Sequence, residues 1–227
     1  AINPPLAGLE PPLWAGLTAS YHQANILDAE ALNLSPDETI QAITEYNPDK
    51  IIIAVMGKNP SVSSTPKMPI VEIIIKALPD YPIYLTGVHP LAVPGGYNVI
   101  LKPFEGLPDM PFDKLPMDKY RAHNWHCLDG SPLSPYASIY TSMGCPFNCY
   151  YCNIHTLYEG HQVLFRSKVN ILKEIDLLVT KYHVRNLKIW DELFTVNEER
   201  VNSICWEIGQ RRSDLNIWAY ARVDTVT

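Results

Sequence analysis

The sequence predicts an α/β protein in two parts: a doubly wound parallel sheet over residues 1–102 and a second strand–helix alternation over residues 137–227. Three observations carry this expectation. Short apolar runs alternate with helix-like stretches in both parts, prolines crowd the segment between them, and the alternation restarts after that segment. With 227 residues and 47% hydrophobic content, the chain can bury one large core or two modest ones.

In the first part, residues 2–4 are expected as the stub of a strand, 13–22 as a helix opened by Pro11-Pro12, and 25–29 as a second strand. Ser35-Pro36-Asp37-Glu38 reads as an N-cap, a first-turn proline and a reciprocal glutamate, followed by Ile40 and Ile43 on one helix face. The run 50–55 is continuously apolar after Lys50, as in a strand buried on both faces of a parallel sheet. A helix over 69–78 and strands over 83–86 and 98–101 complete a Rossmann-like order with right-handed crossovers, the last crossover being too short for an ordinary helix. A ligand of such a sheet lies beyond the carboxyl ends of the strands, where Gly57, Asn59, Gly87 and His89 are expected to cluster. Glycines there permit close backbone approach to a large flat ligand, and the bland role for His89 is a loop held by backbone hydrogen bonds.

Residues 103–136 are proline-rich without an apolar period, which predicts a linker lying across the surface of both parts. Strands over 137–140, 186–190 and 216–221 then alternate with helices over 167–183 and 198–210. In the first of these helices Val169, Leu172, Ile175, Leu178, Val179 and Tyr182 form one apolar stripe.

Composition excludes several classes. Charged residues make up 19% of the chain, with 18 Lys and Arg against 24 Asp and Glu and a net charge of −6, so no basic face for nucleic acid is expected. No apolar run approaches a membrane span. The opening Ala1-Ile2-Asn3-Pro4-Pro5 lacks an initiator Met and a signal-peptide pattern, so the chain is expected to be a piece of a longer protein. Five cysteines, three of them between positions 145 and 152, suit a reducing cytoplasm better than a disulfide framework.

The informative stretch is Gly144-Cys145-Pro146-Phe147-Asn148-Cys149-Tyr150-Tyr151-Cys152, a C-x3-C-x2-C pattern directly after a predicted strand. Three thiolates on one tight loop can hold three corners of a [4Fe–4S] cube and leave the fourth iron open to a ligand with amino and carboxylate groups. Two alternatives stand beside this reading. His155 follows Cys152 at zinc-knuckle spacing, which allows a non-enzymatic Cys3His zinc module, and clustered cysteines can also be inert core residues. Cys127 and Cys205 are isolated and read as structural.

This loop, with an aromatic residue at Tyr151 before the third cysteine, resembles the hallmark of the radical S-adenosylmethionine superfamily. The resemblance implies that S-adenosylmethionine chelates the open iron, accepts one electron from a reductant such as flavodoxin or ferredoxin, and yields a 5′-deoxyadenosyl radical. It places Tyr151, Asp191 and Glu192 at S-adenosylmethionine, the acidic pair at its amino group; the alternative for the pair is helix-capping or solvated carboxylates. Arg222, ending the next strand, can reach the cofactor carboxylate with its bidentate fork or serve in a structural ion pair. The resemblance also implies a partial (β/α)6 barrel, of which residues 137–227 supply only the first half.

A Rossmann-like domain ahead of the cysteine loop is similar to the cobalamin-binding branch of that superfamily. Asn3-Pro4-Pro5, Leu27-Asp28-Ala29 and Gly87-Val88-His89-Pro90 match its short segments. No D-x-H-x-x-G segment is present, so no histidine is nominated beneath cobalt. The implied activity is cobalamin-dependent methyl transfer, or an oxidative-cyclase-like reaction, on an unreactive position of a small-molecule, lipid or tetrapyrrole substrate. The alternative within the same chemistry is a radical enzyme whose first domain is a vestigial scaffold. No catalytic residue is named from the sequence.

Overall fold

The computed structural model describes residues 8–55, 67–92, 96–100, 102, 104–123, 132–152, 154–158, 160–211 and 214–226. The expected strand at 2–4, Asn3-Pro4-Pro5, Gly57, Asn59 and Cys127 lie outside these. Helix α1 (Leu13–His22) follows Pro12 and ends at Gln23 in the left-handed region. Helix α2 (Pro36–Tyr46) carries the expected capping box: the Ser35 hydroxyl accepts from the Glu38 amide at 3.2 Å, and Glu38 Oε2 accepts from the Ser35 amide at 2.8 Å.

Strand β1 (Ile51–Ala54), helix α3 (Met68–Ala77) and strand β2 (Ile83–Thr86) form a crossover unit, with Ile51 opposite Ile83 in a parallel pair. The expected strand at 98–101 contributes one parallel bridge, Val99 to Leu85. Strand alternation explains the layering. Ala54 joins the core cluster that contains Leu13, Trp14 and Leu17 of α1, whereas Ile53 and Val55 pack with Met68, Val71 and Leu85 beneath α3. Helices therefore cover both faces of this small sheet. Helix α4 (Val88–Ala92) starts directly after β2.

Two expectations fail here. Residues 25–28 join no strand and a turn starts at Ala29, where the Asp28 carboxylate accepts from the Ala31 amide and, 92 positions away, from the Tyr120 hydroxyl at 2.6 Å. The proline-rich segment is no surface strap: Met110, Phe112, Leu115, Met117 and Tyr120 are buried in the same core as α1 and the second sheet. Its prolines shape irregular backbone, while its large side chains do the packing.

The second part contains the parallel strands β3 (Tyr136–Ile139), β6 (Asn186–Ile189) and β7 (Asn216–Ala219), in the spatial order β3-β6-β7. Between β3 and β6 lie β4 (Ser142–Met143), helix α5 (Ile154–Leu157), β5 (Leu164–Phe165) and helix α6 (Lys168–Tyr182). Ser167 caps α6 by accepting from the Asn170 amide, and α7 (Glu198–Arg211) links β6 to β7. Strands β4 and β5 pair antiparallel. Leu187 and Ile189 pack into the core with Ile171, Ile175, Leu178, Ile204 and Ile208, but Val169, expected in the α6 stripe, is 58% exposed. The described residues form no closed barrel, and none of their helices is long and apolar enough to cross a membrane.

Two charge networks fasten the second part to the rest of the chain. Glu10, ahead of α1, accepts from Lys188 Nζ at 2.8 Å, Trp190 Nε1 at 2.6 Å and the Tyr136 hydroxyl at 3.1 Å. Arg166, after β5, pairs with the Glu174 carboxylate on α6 and donates to the Tyr140 carbonyl at 3.0 Å and to Asp109 at 2.7 Å. Glu174 in turn accepts from the Met110 amide at 3.1 Å. Burial pushes the Glu174 carboxyl up, and Arg166 opposes that push. Both side chains of the pair are at most 4% exposed, so removing one partner strands the other without water. Glu174→Gln and Arg166→Met are each expected to cost about 3–5 kcal/mol, read as a lower urea midpoint at unchanged slope.

Candidate functional site

The cysteine loop leaves the carboxyl end of β3 through Thr141, β4 and Gly144. Gly144 has φ +96, and a Cβ there would stand 2.3 Å from the Gln162 carbonyl oxygen, so only glycine passes this point. Cys145 and Cys149 are partly exposed, Cys152 is exposed, and all three are free thiols. The Cys152 amide donates to the Cys149 carbonyl at 3.0 Å, which closes the last turn of the loop.

The acidic pair after β6 fastens this loop. Asp191 is fully buried; one carboxylate oxygen accepts from the Thr141 amide at 2.6 Å, the other from the Thr141 and Ser142 hydroxyls at 2.5 and 2.6 Å. Glu192 reaches both stems of the loop: Oε2 accepts from the Gly144 amide at 2.8 Å, and Oε1 from the Tyr158 hydroxyl at 2.8 Å, just past α5. Burial pushes both carboxyl groups up, and the donated hydrogen bonds pull them back. Burial, with the charges nearby, likewise pushes the Tyr158 hydroxyl up, which keeps it a donor to Glu192. The carboxylate oxygens that the sequence reading reserves for a ligand ammonium are thus each engaged by a protein donor.

Arg222 stands beyond β7 on the opposite wall. Its Nε and Nη2 donate to the two carboxylate oxygens of Asp224 at 2.8 and 2.6 Å, and its Nη1 donates to Cys149 Sγ at 3.0 Å. The guanidinium carbon lies 3.9 Å from the Phe147 ring centroid. Asp224 is the main reason the guanidinium is held above its ordinary range, and Arg222 correspondingly pulls the Asp224 carboxyl down. A cleft of about 730 Å³ opens here, lined by Phe147, Asn148, Cys149, Tyr151, Ala221, Arg222, Val223 and Asp224.

The His155 ring lies between two backbone carbonyls, its Nδ1 2.7 Å from the Gly160 oxygen and its Nε2 2.9 Å from the Phe147 oxygen, with the protonated nitrogen donating. Among the described residues no three His, Cys, Asp or Glu side chains converge on one ion.

In the first part, Gly87 has φ +98, and a Cβ there would meet the Val55 carbonyl oxygen at 2.6 Å. The His89 amide donates to that same carbonyl at 3.1 Å. These contacts turn the chain from β2 straight into α4, and α4 packs against α5, the helix that follows the cysteines. The folded chain therefore brings Gly87, His89 and the cysteine loop to one side of the molecule. Sequence reasoning missed Thr141, Ser142, Tyr158 and Phe147; the available signal was their position within or directly around the cysteine stretch.

An α/β protein with a cysteine loop at the strand ends is the class that the fold and site define. No family model matches the chain. Over 126 residues it is 32% identical to the uncharacterized methyltransferase PH0819 of Pyrococcus horikoshii, a match covering 56% of this chain and 25% of that protein. Its fold is similar to that of TsrM from Kitasatospora setae, a radical S-adenosylmethionine methyltransferase with cobalamin and a [4Fe–4S] cluster bound: TM-score 0.67, 15% identity, 94% of this chain and 53% of that one. It is also similar to OxsB, a cobalamin-dependent S-adenosylmethionine radical enzyme with aqua-cobalamin and S-adenosylmethionine bound: TM-score 0.65, 16% identity, 97% of this chain and 37% of that one. At these identities the likeness is one of fold. The chain spans about a quarter of the length of the curated relative.

Proposed function

We propose that the chain is part of a cobalamin-dependent radical S-adenosylmethionine enzyme that transfers a methyl group, or performs related radical chemistry, on an unreactive position of a small organic substrate. The observation that carries this reading is the cysteine loop itself: free thiols at Cys145, Cys149 and Cys152, beyond the strand ends of a parallel sheet, with both stems fastened by Glu192. The donor set fits an iron–sulfur cluster, being all thiolate, while the neighbouring imidazole is engaged elsewhere. Bound there, the cluster would supply one electron to S-adenosylmethionine coordinated at its open iron.

The chain's own residues do the positioning. Asp191 fixes Thr141 and Ser142 at the root of the loop, and Glu192 sets the distance between its two stems. Tyr151 and Phe147 line the cleft in which an adenosyl group would rest. Each Glu192 oxygen keeps a second lone pair that can accept from an ammonium without giving up its present donor. The cobalamin reading draws on Gly87 and His89 beyond β2, and on the packing of α4 against the helix after the cysteines. That neighbourhood suits two cofactors that must exchange a group at close range. The methyltransferase relative and the two solved folds support the same reading. Domain limits of 1–102, 103–136 and 137–227 belong to this proposal, although the middle segment shares the main core.

Metal analysis tests it. The full-length protein, purified without oxygen, is expected to hold about four irons and four sulfides per chain, with cobalt retained after incubation with hydroxocobalamin. His89→Ala is expected to weaken cobalamin retention without placing or removing a nitrogen on cobalt. Iron and sulfide without any cobalt uptake would remove the cobalamin part of the proposal, and nitrogen hyperfine coupling from a protein imidazole would contradict the histidine-free site.

A further inference from the structure

Arg222 donates to three atoms, two on Asp224 and one on Cys149, and its geometry is over-determined. Asp224 takes the Nε–Nη2 edge of the guanidinium through two hydrogen bonds, at 2.8 and 2.6 Å. Phe147 stacks beneath it, with its ring centroid 3.9 Å from the guanidinium carbon. The backbone is pinned too: the Thr225 amide and hydroxyl both donate to the Arg222 carbonyl, at 3.0 and 2.9 Å, and the Thr225 hydroxyl contacts that of Thr195 at 2.6 Å. What remains is Nη1, and it donates to Cys149 Sγ at 3.0 Å.

A bidentate grip on a ligand carboxylate needs a free edge of the fork. The Nε–Nη2 edge is already occupied by a protein carboxylate, and the other edge addresses sulfur. That arrangement suits a fixed N–H···S contact better than capture of a cofactor carboxylate. Hydrogen bonds to the sulfurs, together with nearby charge, are among the terms that set a cluster's potential, because the reduced cluster is the more negative form and gains more from a donor and a cation.

We propose that Arg222, held by Asp224 and Phe147, sets the reduction potential of the cluster through its hydrogen bond to Cys149 and makes the cluster easier to reduce. This rests on the cluster reading above. Arg222 is on this view a positioning and tuning residue that touches a ligand atom of the cluster, with Asp224 limiting how much of its charge is felt.

The test is a potentiometric titration of the anaerobically reconstituted chain, followed by electron paramagnetic resonance, for wild type, Arg222→Gln and Arg222→Lys. Iron and sulfide contents are measured in parallel. At the potential where the wild-type cluster is half reduced, Arg222→Gln is expected to show a reduced-to-oxidised ratio about tenfold lower, which is about 59 mV for a one-electron couple. Arg222→Lys, which keeps the charge and loses the fork, is expected to fall between the two. If Arg222→Gln loses the cluster, the lysine variant carries the test, with a lowered ratio still required. Unchanged potentials at full cluster content overturn the inference. Unchanged potentials with weakened S-adenosylmethionine binding overturn it as well, and give Arg222 to the carboxylate. A wild-type chain that takes up no iron and sulfide refutes the cluster reading itself, a result distinct from either.

Discussion

Replacing Cys145, Cys149 and Cys152 together with Ala is expected to take iron and sulfide from about four each per chain to none, while His155→Ala leaves both in place. The contrast follows from what each side chain faces. The three thiols are free and reach the surface of a loop whose stems are fastened elsewhere, so their removal is expected to delete the proposed ligands and leave the fold intact. His155 instead bridges two backbone carbonyls, on Phe147 within the loop and Gly160 beyond it. Its loss is expected to loosen the loop by about 1–2 kcal/mol, within the usual worth of such contacts, and to remove no ligand. Colorimetric iron and acid-labile sulfide on the folded variants check this. Stoichiometric zinc that disappears with His155 would instead make the loop a Cys3His knuckle.

The second large effect is expected at Asp191. Its carboxylate is fully buried and accepts three hydrogen bonds, all from Thr141 and Ser142 at the root of the cysteine loop. Asp191→Asn keeps the size but presents an amide group to donors that need an acceptor. Three charge-assisted bonds do not simply add, since they share one group, and a loss of about 2–3 kcal/mol is expected when neutral donors lose a buried charged acceptor. Urea denaturation should show a lower midpoint with unchanged slope. Because the same contacts set the loop's starting point, cluster content after reconstitution should fall with it. Glu192→Gln leaves Asp191 in place and is expected to cost less, about 1–2 kcal/mol. Full stability in Asp191→Asn would mean that the loop is held by its other contacts, chiefly the Arg200 guanidinium on the Thr141 carbonyl at 2.7 Å.

What was legible in the sequence was local. Ser35 and Glu38 announce a helix start because both halves of the capping box lie within four residues. The apolar run at β1 likewise needs no partner to be recognised as a strand, although three of its four residues are only half-buried. The cysteine spacing was readable for the same reason. Contacts that close over long sequence distances were not. Asp28 sits in an apparent strand, yet its carboxylate meets Tyr120, 92 positions away, and the linker's burial depends on α1 and α6 joining the same core. Position after β6 marked Asp191 and Glu192 as important but could not say which atoms they meet. Their partners lie 48 to 50 residues earlier, or 34 in the case of Tyr158, and a carboxylate can bind an ammonium, an amide or a hydroxyl equally well. Arg222 shows the same limit: a fork at a strand end suits a cofactor carboxylate or an ion pair, and only the fold shows Asp224 on its Nε–Nη2 edge.

The central claim is that this loop carries a cluster with an iron open to S-adenosylmethionine. The most direct measurement is electron paramagnetic resonance of the reduced, anaerobically reconstituted chain before and after adding S-adenosylmethionine. The account predicts a [4Fe–4S] signal whose g-values move on addition and which is missing from the triple cysteine variant. A signal indifferent to S-adenosylmethionine at saturating concentration, or bound zinc in place of iron, would contradict it.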